Sequence, residues 1–207
     1  MFKIEKIADA KGRVLIQDPP IAQFLFQGTI ASWFWLGVRL YVGLAFITSG
    51  LGKLTGGKWL DGTGGSILPF WQNAVKIPDA PAKPLITFEW YRGFLQFMID
   101  TNAAPWFSYV IVFGEIAVGL GLIVGAFVGL AALGGLLMNM AFMLAGTTST
   151  NPVMAILAVT LILAWKNAGY IGLDYFLLPM LGTPWKQSAK IPSAAPAPLT
   201  PAVAPIR

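Results

Sequence analysis

Four long apolar stretches dominate the chain, each broken by one or two polar residues. The first covers residues 29–53 and is interrupted by Arg39. The second covers 105–127 and carries Glu115 near its middle. The third covers 128–146 and contains Asn139, and the fourth covers 151–169. About 20 helical residues span a bilayer's hydrocarbon. The fourth stretch reaches that length only if Lys166 snorkels to the interface. Pro105 fits a first helical turn, where its missing N–H costs nothing. The pattern predicts an all-α membrane protein: a four-transmembrane-helix bundle over residues 29–185, with a long outer loop at 54–104. Residues 1–28 read as a cytoplasmic segment rather than a signal peptide, because charges alternate with apolar residues there. Residues 186–207 read as an Ala/Pro-rich, solvated tether.

The outer loop has its own pattern. Gly56 to Gly62 reads as turns, and Pro78 to Pro84 as a proline-punctuated stretch. Leu85, Phe88, Tyr91, Leu95, Met98 and Ile99 recur at helical spacing, with Glu89, Arg92, Gln96 and Asp100 between them. This predicts an amphipathic helix lying on the outer surface or capping the bundle. Gly121, Gly125 and Gly129 stand four apart, which suits close packing of helices within one bundle and, alternatively, dimerisation.

Composition agrees with the pattern. Of 207 residues, 56% are apolar and 11% charged, with a mean hydropathy of +0.68. Soluble domains carry about 25% charged residues. There is no cysteine and no histidine. Disulfides, Cys/His zinc sites, cysteine-held iron–sulfur clusters, bis-histidine haem and Ser-His-Asp catalysis are therefore excluded for this chain alone, and no metal is expected. The net charge of +5 reads as membrane orientation rather than nucleic-acid binding. Lys3, Lys6, Lys11 and Arg13 precede the spans, and Lys166, Lys186, Lys190 and Arg207 follow them. Lys58, Lys76, Lys83 and Arg92 are diluted through the loop among Asp61, Asp79, Glu89 and Asp100. Both termini are expected inside. Trp33, Trp35 and Trp165 would form an inner belt and Trp106 an outer one.

Ionisable residues within hydrocarbon cost about 2.5–3.5 kcal/mol on insertion scales. Counting 1.5 Å per residue from each span's start puts Arg39, Glu115 and Asn139 at similar depths, about 15–18 Å in. An Arg39–Glu115 pair with Asn139 as hydrogen-bond partner would satisfy all three. Two readings stay open for this polar intramembrane site: a clasp fixing helix register, or a pocket for a ligand with hydrogen-bonding oxygens. A second cluster lies toward the outer face. Thr48, Ser49 and Lys53 end the first span, Asn151 opens the fourth, and Trp59, Trp90 and Arg92 belong to the loop. Aromatic rings beside donors suit a quinone head group, and the cations Lys53, Lys58 and Arg92 suit an anion. An interfacial belt with Asn151 as a helix cap is the plainer alternative. Asp174 reads as a turn residue or as the cap of a short interfacial helix.

Leu36 to Leu54, with its arginine, glycine and phenylalanine and its Gly50-Leu-Gly-Lys-Leu54 ending, resembles the first helix of the DoxX family. Gly114 to Gly125 resembles its second helix, and Asn139 and Gly169 to Asp174 match its third- and fourth-helix signatures. The resemblance covers about residues 30–178. The tryptophan-containing loop is similar to the DoxD-like branch, which includes the large membrane subunit of thiosulfate:quinone oxidoreductase. The resemblance implies a four-helix protein of the prokaryotic inner membrane, linked in some members to quinone-coupled sulfur or redox chemistry. It makes Arg39, Lys53, Glu115 and Asn139 candidate site residues. With no group of its own able to hold an electron, the chain would bind a quinone or dock a redox partner subunit. A non-catalytic accessory or scaffold subunit of a membrane complex is the alternative. A small-molecule carrier ranks third, since no inverted repeat is visible.

Overall fold

The computed structural model describes residues 7–8, 14–15 and 18–183. The tail at 186–207 and most of the first seventeen residues lie outside them. Two short strands, β1 (Ile7–Ala8) and β2 (Val14–Leu15), pair antiparallel. This ladder is a feature the sequence pattern did not announce. Eight helices follow among the described residues: α1 (Pro20–Gln27), α2 (Ser32–Thr55), α3 (Ile67–Ala74), α4 (Glu89–Asp100), α5 (Ala104–Val124), α6 (Val128–Leu144), α7 (Asn151–Leu163) and α8 (Asp174–Met180).

The bundle is built from α2, α5, α6 and α7. Its most extensive contacts join α2 to α5 and α6 to α7, and α5–α6 and α2–α7 contacts close it. Trp35, Val42 and Phe46 meet Val118, Leu122, Val128, Ala132, Met154 and Leu161 in its core. Apolar side chains also cover its outside: Leu44, Phe113, Leu120, Leu130, Leu137 and Ile156 are all exposed. Helices that are apolar all round suit lipid and not water. α2 and α5 are long and apolar enough to cross a membrane, whereas α6 and α7 are apolar but shorter.

The α2–α5 seam is tight because glycine removes the side chains that would hold the helices apart. A Cβ on Gly119 would lie 2.7 Å from the Ile47 backbone nitrogen, and one on Gly50 would lie 2.7 Å from Ile116 Cγ1. The expected Gly121, Gly125 and Gly129 row packs within the chain too. Gly121 faces Ala131, Gly125 faces Arg39, and Gly129 faces Trp165. α5 stops at Gly125, whose φ of 71° is easy for glycine and ends a helix readily.

α3 and α4 make a second core against α5, through Ile67, Trp71, Ile86, Tyr91, Leu95, Met98 and Ile111. The amphipathic pattern around residues 85–99 thus forms a helix, with Tyr91, Leu95 and Met98 inward. α3, with Pro69 in its first turn, was hidden among turn signals. α3 and α4 mark one end of the bundle, the loop end. α1 and α8 mark the other, the terminal end.

Two expectations need correction at the terminal end. Trp35 is no belt residue: it is buried, and its indole N–H donates to the Leu25 carbonyl at 2.7 Å. α7 does not run regularly to residue 169 but ends at Leu163. Past it the chain is held by side chains instead. Asn167 donates to the carbonyls of Leu25 and Gly28, and Arg39 takes those of Ala168 and Ile171.

Candidate functional site

The intramembrane polar residues separate into two groups. α2 and α5 run antiparallel, with Gly43 against Leu122 and Ile123, and Gly50 against Glu115 and Ile116. Continuing that register sets Arg39 beside Gly125, about 15 Å along α5 from Glu115. The expected Arg39–Glu115 pair therefore does not form. The depth count failed because it took the helix ends as level, whereas α2 runs from Ser32 for about seven residues past the terminal end of α5 before Arg39 comes beside Gly125.

Arg39 is 1% exposed. Its guanidinium donates to the Ala168 carbonyl at 2.9 Å and the Ile171 carbonyl at 2.8 Å, with Asp174 supplying the opposite charge. Asp174 is also 1% exposed and accepts the backbone N–H groups of Phe127 at 2.6 Å and Val128 at 2.9 Å. It thus caps α6 from 46 residues away, where a negative charge favours a helix start. It also opens α8. Gly172 leaves room for this arrangement, since a Cβ there would lie 3.0 Å from the Arg39 guanidinium. These groups bond to backbone and attract one another electrostatically, and they hold the terminal end together.

Glu115 pairs with Lys53 instead. The ammonium sits 2.8 and 2.7 Å from the two carboxylate oxygens and 2.6 Å from Ser49 Oγ. Lys53 lies one turn beyond Gly50, so its stem reaches back across the glycine gap to α5. Its ammonium is also 5.3 Å from the centre of the Trp59 ring, close enough for a cation–π contact.

The pair forms part of the wall of a cavity of about 460 Å³ in the loop half of the bundle. Asn139 and Asn151 line the same cavity, with Phe46, Phe70, Phe142 and Trp59 as aromatic wall. Asn139 is 6% exposed, and its Nδ2 has no hydrogen-bond partner among the described residues. A buried amide donor without a partner loses free energy unless something accepts from it. Asn151 is engaged, donating to the Thr147 carbonyl at 3.1 Å.

Five of the expected residues, Lys53, Trp59, Glu115, Asn139 and Asn151, thus converge. Three do not. Arg39 belongs to the other end. Trp90 is 65% exposed on α4, and Arg92 is tied to Glu89 at 2.7 Å and to the Ile86 carbonyl. Ser49, named with Lys53 in the outer cluster, lines the cavity too, whereas Ser66, Thr147, Ser149 and Thr150 line it and were passed over. No cluster of three potential metal ligands occurs among the described residues. On the loop side, the Thr63 hydroxyl and backbone N–H, with Lys58, hold the Asp61 carboxyl below its ordinary range.

Aromatic rings, one compensated ion pair and one free amide donor enclose space suited to a small, flat, oxygen-bearing molecule. The fold is a helical membrane bundle, apolar inside and out, with a polar cavity toward one end. The DoxX family sequence model matches residues 34–168, and the chain belongs to that family. The Gly169 to Asp174 segment lies just past the matched region. No curated protein and no solved structure matches.

Proposed function

We propose that the protein is the membrane subunit of a quinone-linked oxidoreductase, and that the loop-end cavity holds the quinone head group. In this reading α2, α5, α6 and α7 all cross a prokaryotic cytoplasmic membrane. The termini lie in the cytoplasm, and α3 and α4 lie at the outer face. The observation that carries the proposal is an aromatic-walled cavity lined together by Lys53, Glu115 and Asn139, whose buried Nδ2 has no partner among the described residues.

A quinone takes two electrons and two protons, and its carbonyl oxygens accept hydrogen bonds. Asn139 donates to one oxygen. The Lys53 ammonium steadies the negative charge that reduction develops on the other. Glu115 holds Lys53 aligned and gives a proton a carboxylate to rest on. The chain contains no cysteine or histidine to hold a redox metal centre, so the electrons come through a partner subunit or from a docked reductant at the outer face. Lys58, exposed on the loop, is placed to attract an anionic reductant of the thiosulfate class.

Tryptophan fluorescence in detergent tests the proposal. A tail-less quinone is expected to quench emission saturably. Trp59→Phe is expected to remove most of that quench. Asn139→Ala is expected to weaken binding about tenfold, the value of one hydrogen bond from a desolvated group. No saturable quench from a protein of intact helix content overturns the assignment and leaves the accessory-subunit reading.

A further inference from the structure

A second cavity, of about 270 Å³, adjoins the first. The two share Ile67, Phe70, Met138 and Phe142 as common wall. Phe70 and Phe142 form the aromatic part of that partition, with ring centres 5.9 Å apart. The chemistry changes across it. The first cavity presents Lys53, Glu115 and two asparagines. The second presents Trp71, Tyr91, Phe94, Leu95, Phe107, Val110, Ile111 and Leu137, with no charged side chain. The Tyr91 hydroxyl is engaged, donating to the Ala141 carbonyl at 2.8 Å. Phe94, Val110 and Leu137 are 45%, 52% and 62% exposed, so the second cavity opens on the bundle's flank between α4, α5 and α6.

We propose that this apolar cavity takes the first part of a long alkyl or isoprenoid tail attached to the head group in the polar cavity. The ligand class is therefore a membrane-dissolved, tailed quinone that reaches the site sideways from the bilayer. This rests on the head-group assignment above. Adjacency carries it: a single layer of side chains separates a polar chamber from an apolar one, and the apolar one faces the bundle's flank. A tail leaving the first chamber crosses where Phe70 and Phe142 meet, so these two rings must turn aside to admit it.

The test uses the full chain in nanodiscs with two probes, a tail-less quinone and a quinone bearing a diazirine in its proximal tail. Photolabelling is expected on Phe94, Val110 or Leu137, suppressed by excess unlabelled tailed quinone. Val110→Trp fills the exposed mouth. It is expected to reduce photolabelling at least threefold while leaving quenching of Trp59 by the tail-less quinone unchanged. Leu137→Phe, from the facing helix, serves as a second such variant. Labels scattered over the bundle surface, or equal labelling by a diazirine phospholipid that quinone does not displace, overturn the tail assignment alone. Failure of the tail-less quinone to quench overturns the head-group assignment, and the tail proposal with it.

Discussion

Lys53 and Glu115 show what one missing charge does to such a site. Their side chains are 17% and 6% exposed, and each is the other's compensation. Glu115→Gln leaves a part-buried ammonium without its counter-charge, held by the Ser49 hydroxyl and the Trp59 ring. A loss of about 3 kcal/mol is expected, read as a lowered Tm in detergent. The double variant Lys53→Met, Glu115→Gln should recover most of that loss, since an uncharged pair leaves no uncompensated charge. Additive losses would show that the two groups are not coupled. Tyr91 gives a pH-dependent case. Burial pushes its hydroxyl above the ordinary value of 10.0, so the folded state holds that proton more tightly than the unfolded chain does. Its contribution is complete below about pH 10 and is lost as pH rises beyond. Tyr91→Phe should cost about 1 kcal/mol at neutral pH and soften the alkaline fall in stability.

Among the elements, the α2–α5 seam is the most constrained. A methyl at Gly119 meets backbone on both Ile47 and Gly43, and backbone cannot swing aside as a flexible side chain does. Gly119→Ala is expected to cost about 1–3 kcal/mol. Gly93, in α4, has nothing within 4 Å of its would-be Cβ. Gly93→Ala should be neutral or stabilise by about 0.5–1 kcal/mol, and comparing the two melts separates seam packing from helix propensity. The helices themselves were readable because their apolar runs are long and end at glycine or proline. Their register was not. α2 overhangs the terminal end of α5 by about seven residues, which sets Arg39 beside the last residues of α5 instead of beside Glu115, and no periodicity in either helix alone records that offset. Lys53 was recognised as polar and terminal, but its pairing with Glu115 depends on the glycine gap at Gly50, which only the packed seam reveals. α3 escaped because its eight residues are too few to show a period amid turn-forming neighbours.

For the whole molecule, the two ends do different work. The terminal end spends most of its buried charge on backbone, with Arg39 Nε and Ser32 Oγ unpartnered in packed surroundings, while at the loop end the unpartnered Asn139 amide belongs to a cavity wall. Asn151, Lys53 and Trp59 were legible as a group because all sit where apolar runs meet the loop. Asp174's long-range cap was not, because nothing local to Gly172-Leu-Asp174 names residues 127 and 128 as its partners. The proposed orientation is open to a clean test, since the chain has no native cysteine. Asp79→Cys, in the loop between α3 and α4, is expected to react with an impermeant maleimide in intact cells. Gln23→Cys, in α1, is expected to react only after permeabilisation. The reverse pattern would invert the topology.

The grip of Arg39 on residues 168 and 171 also sets an order of events at the ribosome. The arginine leaves the exit tunnel more than a hundred residues ahead of the carbonyls that receive it. Until those carbonyls arrive, the newborn first span carries a bare cation, best kept near the water boundary or against the insertion machinery. Closure of the bundle thus waits on its final turns, and a chain cut short after α7 would have all four bundle helices and no latch.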